Sequence, residues 1–178
     1  MTQAAISELF STDRAIQAEA TRAAFAAVRA GDEASLERAL ELGVRADAVD
    51  AKTNTLVMLA AYHGHAAIVR VLLVSGADPG LRNERGQAPL DGAAFLGNLE
   101  VMTALLDGGA DVNASSLGGR TALIWAAAFN RSEAVRLLLE RGADPDHVDA
   151  DGRTALDHAG VMGAEDAASL LRQHQSDA

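Results

Sequence analysis

Apolar positions along this chain fall in short stripes, not in one long run. Val69, Leu72 and Leu73 form one stripe, Met102, Leu105 and Leu106 a second, and Val135, Leu138 and Leu139 a third. Spacings of three and four put the members of each stripe on one face of a helix. The stripes themselves repeat every 33 residues. Ahead of each lies another short apolar segment with an alanine pair: Ala60-Ala61, Ala93-Ala94 and Ala126-Ala127. The pattern predicts two short helices per 33 residues, the first closely packed and the second amphipathic. Such a pair cannot bury its own apolar face and must stack on its neighbours.

Four further series share the register. Gly43, Gly76, Gly109 and Gly142 end the second helices, the last three within VLLVSGADP, ALLDGGADV and LLLERGADP. Gly31, Gly64, Gly97, Asn130 and Gly163 end the first helices. Asparagine is the next best residue at a left-handed position, so its one appearance says that this slot needs positive φ and not merely a small side chain. Thr55, Ala88, Thr121 and Thr154 start the first helices, where threonine caps free N–H groups and Pro89 compensates for Ala88. Glu100, Glu133 and Asp166 stand near the start of the second helices, at the positive end of the helix dipole. With the two glycine series and the threonine series, Leu72, Leu105, Leu138 and Leu171 make the four.

These residues carry a resemblance to the ankyrin-repeat family. Its pattern of D-x-x-G-x-T-P-L-H-x-A-A-x-x-G-H, with a later LL-x-x-G-A-D-x-N, is matched by DAKTNTLVMLAAYHGH at 50–65 and NERGQAPLDGAAFLGN at 83–98. SLGGRTALIWAAAFNR at 116–131 and DADGRTALDHAGVMGA at 149–164 continue it, and the likeness covers about 22–174. It implies an all-α solenoid of paired antiparallel helices with connecting turns, of about five repeats. Residues 1–21 form an N-terminal helical extension or cap, and 22–49 a degenerate first repeat. Full repeats occupy 50–82, 83–115 and 116–148, and 149–178 is a C-terminal capping repeat and tail. A continuous helix is expected over 14–30, starting after Ser11-Thr12-Asp13. The chain departs from the family at its histidine, replaced by Met58, Asp91, Ile124 and Asp157, and at the turn glycine, replaced by Thr53, where the first turn is expected to differ.

Composition narrows the function. About half of the chain is apolar, yet only six residues are aromatic, which suits closely approaching helices. The formal charge of −10 argues against non-specific nucleic-acid binding and favours basic partners. No run of 18 apolar residues exists, so no membrane span is expected. The first residues lack a basic start and an apolar stretch, which argues against a secretory signal and for the cytoplasm. Zero cysteines exclude thiolate chemistry and Cys-type zinc sites.

A search for chemistry yields no catalytic, metal or cofactor site. His63 and His65 form an H-x-H pair, but His65 occupies the family's structural slot and no carboxylate cluster is near. Asp144, Asp146, Asp149 and Asp151 suggest a calcium loop without its register or closing glutamate; in the repeat they read as turn residues. Asp91 and Asp157 lie two repeats apart, at roughly 10 Å per repeat, too far for an acid/base pair. Gly108-Gly109 and Gly118-Gly119 lack the phosphate-loop lysine. No cofactor is expected.

The family resemblance implies a partner strip made of the turn tips and the exposed ends of the first helices. Here the helix ends carry Tyr62-His63, Phe95-Leu96, Ala128-Phe129 and Val161-Met162. The tips carry Lys52 and Asn54, Glu84, Arg85 and Gln87, Arg120, and Asp151 and Arg153. Aromatics and arginine are the usual interface anchors; alternatively the aromatic side chains fold back between repeats as core. Trp125 sits one slot deeper, beside Gly92 and His158, and reads as packing with Gly92 making room for the indole. The expected function is a non-enzymatic, monomeric module that binds a partner protein or peptide through its concave face. A self-associating solenoid or an accessory subunit of an enzyme is the alternative.

Overall fold

The computed structural model describes residues 3–177, with side chains placed for 14–176. Ten helices occupy them: α1 (Gln3–Ala30), α2 (Glu33–Glu41), α3 (Leu56–His63), α4 (Ala66–Val74) and α5 (Pro89–Leu96), then α6 (Leu99–Asp107), α7 (Ala122–Ala128), α8 (Ser132–Glu140), α9 (Ala155–Met162) and α10 (Glu165–Asp177). The odd-numbered helices pack in one row and the even-numbered in a second, each pair joined through its short turn. This is the all-α solenoid that the 33-residue period predicts.

The inner row is close because its contacts are alanine. Ala60, Ala93, Ala94, Ala126 and Ala127 are fully buried and Ala61 nearly so. Leu72, Leu105, Leu138 and Leu171 fill the layer between the rows, and Ala77 and Ala143, just past the helix-ending glycines, complete it. Thr55, Thr121 and Thr154 accept from the N–H groups of Met58, Ile124 and Asp157. Ala88 provides no side-chain acceptor, and Pro89 opens α5. Asn130 has φ 54°, as the substitution pattern requires. Its side chain also crosses to the next repeat, donating to Asp166 Oδ2 (3.0 Å) and accepting from the N–H of Ala167 (3.0 Å).

Two local expectations are corrected. Helix α1 begins at Gln3 and runs unbroken through Ser11-Thr12-Asp13 instead of starting at 14. These three residues are mediocre helix formers, and no glycine or proline among them breaks the helix. Residues 1 and 2 of the expected cap lie outside the described residues. The first turn does not differ: Thr53 takes φ 58°, the conformation that glycine takes in the later turns, and its N–H reaches Asp50 O as Gly86 N–H reaches Asn83 O. A β-branched residue is strained there. Its hydroxyl accepts from the N–H of Glu84 at 2.6 Å and so ties the first tip to the second.

Candidate functional site

The tips are built on one repeated device. Asp50, Asn83 and Asp149 each accept two backbone N–H groups with one side-chain oxygen: Lys52 and Asn54, Arg85 and Gln87, Asp151 and Arg153. Ser116 holds the third tip by donating to Arg120 O. Neighbouring tips are then cross-tied, Asn83 to Asn54 through their side chains and Ala150 N–H to Gly118 O. The aspartates that resemble a calcium loop are used in this way; Asp144 accepts from the N–H of Asp146, and Asp149 is buried. Among the described residues no cluster of three metal-ligating side chains occurs.

Between the first and second tips and the inner helices lies a cavity of about 570 Å³. Met58, Leu59, Asp91 and Gly92 contribute to its lining from α3 and α5, and Tyr62, Phe95 and Trp125 from successive inner helices. Lys52, Asn54, Glu84, Arg85 and Gln87 surround it from the tips. Seven of the sequence-predicted partner residues are therefore brought to one place: Lys52, Asn54, Tyr62, Glu84, Arg85, Gln87 and Phe95. His63, Leu96, Phe129 and Met162 stand outside its lining, as do Arg120, Asp151 and Arg153.

The aromatic strip divides. Tyr62 is 62% exposed and Met162 56%, open on the surface as a partner strip requires. Phe95 and Phe129 are half-buried and meet edge to face at 4.4 Å, with Trp125 beyond them at 6.4 and 6.3 Å. This trio is partly core and partly groove wall. Trp125 does not pack into room left by Gly92. A Cβ built on Gly92 would meet nothing within 4 Å, and both residues border the open cavity. The indole is covered instead by Arg120, whose guanidinium lies 5.3 Å from the ring centroid. Trp125 Nε1 is buried without a hydrogen-bond partner.

Two carboxylates that the sequence did not single out as site residues define the electrostatics. Asp91 is 4% exposed. One oxygen accepts from the N–H of Ala88 at 2.8 Å, and no ion pair reaches the group among the described residues. Burial pushes its carboxyl up to about 6, against the opposing influence of that N–H and of the Arg82 charge. Asp149 shows the opposite balance. Burial raises it, but His158 Nε2 at 2.7 Å and the backbone N–H groups of Arg153 and Asp151 outweigh burial and hold it at about 2. Arg120 Nε stands 3.6 Å away. Asp149 is thus a satisfied structural acceptor, whereas Asp91 is a buried carboxylate on an open cavity. The replaced family histidine was the available signal for Asp91. The Asp149–His158 pair had none, because the two residues belong to different series.

His65 carries out the structural role expected of it: its ring packs over Gly31 and its Nε2 lies 3.4 Å from Arg29 O. No helix among the described residues is long and apolar enough to cross a membrane. A family model described as ankyrin repeats (3 copies) matches residues 24–116 and again 93–178. No curated protein matches the chain.

Proposed function

The chain belongs to the ankyrin-repeat family, whose members are generally protein–protein interaction modules and typically not enzymes, and from that premise we propose that it binds a partner protein or peptide through the groove between its turn tips and inner helices. The observation that carries this reading is the cavity itself. It joins tip residues of two repeats to side chains from three inner helices, and it combines an apolar wall with polar groups at its rim, as recognition pockets do. The rigid ties between tips support the reading further, because a preorganised surface loses little entropy on binding. Tyr62 and Met162 extend the strip along the helix ends, and Arg120 and Arg153 extend it along the tips.

A Gly92→Leu variant tests this. A Cβ added there meets nothing within 4 Å, the position borders the cavity and the glycine has no positive φ, so the fold is expected to persist while the cavity fills. Wild-type and variant protein would be cross-linked in cells and their partners compared by mass spectrometry, with far-UV circular dichroism as the control for folding. The groove reading expects a partner captured by the wild type and depleted at least tenfold with Gly92→Leu. Equal capture by a folded Gly92→Leu protein overturns it. Loss of the same partner through Val74→Asp, on the outer row and 90% exposed, would place the interface there instead.

A further inference from the structure

Asp91 is the ionisable group of the cavity whose environment lacks something. It is a carboxylate at 4% exposure with apolar and aromatic neighbours, and among the described residues its only hydrogen bond is accepted from the N–H of Ala88, through a single oxygen. Among the described residues the other oxygen has no partner, and it is not sealed from solvent, since the enclosed side-chain polar atom that lacks a partner there is Trp125 Nε1. A buried carboxylate calls for a donor, best a cationic one. The protein's own cations do not supply it. Arg82 acts on Asp91 through its charge but donates to Gly86 O, and Lys52 and Arg85 form no ion pair among the described residues. Tyr62, Phe95 and Trp125 supply ring faces and edges along the same cavity, surfaces that favour a cation with an apolar stem.

Building on the groove reading, we infer that the cavity receives a single lysine or arginine side chain of the partner protein, its head on Asp91 and its stem along Tyr62, Phe95 and Trp125. Charge complementarity supports this occupant at two ranges. At contact range the unpaired Asp91 oxygen meets the cationic head. At long range a chain of formal charge −10 attracts basic segments. Lys52 and Arg85 at the rim work against a second cation inside the cavity, so it holds one basic side chain of such a segment. The Asp91 charge is itself informative. Asparagine would accept the Ala88 N–H equally well without the cost of burying an ionised group, so the helix start alone does not require an acid.

Trp125 is the only tryptophan, so its single indole N–H resonance reports on the cavity. N-acetyl-arginine-N-methylamide and the lysine analogue would be titrated at pH 7.5 beside the norleucine and glutamate analogues. The expected result is saturable movement of the indole resonance by the two basic probes, with affinity at least about tenfold above norleucine, as a charge-assisted bond supplies. Asp91→Asn should remove that tenfold preference while leaving norleucine unchanged, and Gly92→Leu should abolish all binding. Norleucine binding as tightly as arginine, an Asp91→Asn protein that keeps its preference, or no saturable response to any probe overturns the inference. The cross-linking experiment separates it from the broader reading. A partner lost with Gly92→Leu but kept with Asp91→Asn overturns the basic-residue pocket alone; a partner indifferent to both overturns the groove.

Discussion

At Asp91 a single carboxylate sets cavity chemistry against folding stability. Its ordinary value is 3.8, and burial raises it to about 6 in the folded protein. The folded state therefore holds the proton more tightly than the unfolded chain does. The stability this gives is fully present below 3.8 and is lost as pH rises through about 6. A shift of this size corresponds to roughly 3 kcal/mol. Asp91→Asn is expected to match the wild type near pH 3.5 and to exceed it by about that amount at pH 8, as read from urea midpoints at the two pH values. Equal stability at pH 8 would show that the carboxylate is better solvated than its burial implies. Asn130 gives a second residue-scale expectation, because backbone and side chain contribute separately. Asn130→Gly keeps the left-handed conformation and loses two hydrogen bonds, at about 1–2 kcal/mol. Asn130→Ala adds the left-handed strain, about 1 kcal/mol more. Thermal or chemical denaturation should rank the three asparagine, glycine, alanine.

At the scale of the helix, Ala88 is the exception among four otherwise equivalent starts. Thr55 and Thr121 are as buried as Ala88 and still cap their helices, so the slot accommodates a threonine. Ala88→Thr is expected to raise stability by about 1 kcal/mol, and Thr121→Ala to lower it by a similar amount, measured from unfolding curves. These starts, the glycine stops and the alanine contacts were legible in the sequence because each recurs at 33 residues and each has a local cause. Helix α1 was misjudged because its start has no repeat to copy. Trp125 packs against the core as its slot implies, but the part expected of Gly92 fails for a related reason. Position within a repeat says which slot a residue occupies, but the space beside it depends on what stands one repeat away, and Gly92 turned out to border open cavity. The Asp91 environment was invisible for the same reason, since burial is a property of the stack.

At the scale of the whole molecule, each repeat touches only its neighbours, so damage should report its position. Leu105 is fully buried in α6, between α4 and α8, and Leu171 is nearly so in α10, at one end. Leu105→Ala is expected to cost about 3 kcal/mol of global stability. Leu171→Ala should instead accelerate hydrogen exchange in α9 and α10 while α3 to α6 keep their protection, because a terminal repeat can open without the rest. Uniform acceleration across the chain would indicate a single cooperative unit. The cavity lies at the first and second tips, away from the end that frays, so binding and terminal opening are separable events.

The rim of the cavity also contains the only lysine of the chain, Lys52, exposed and without an ion pair among the described residues. No other side-chain amine competes with it. Enzymatic acylation of lysine, if it reaches this protein, can alter only the groove; and an amine-directed reagent with a short arm, anchored through a side chain, joins the protein to whatever occupies that rim.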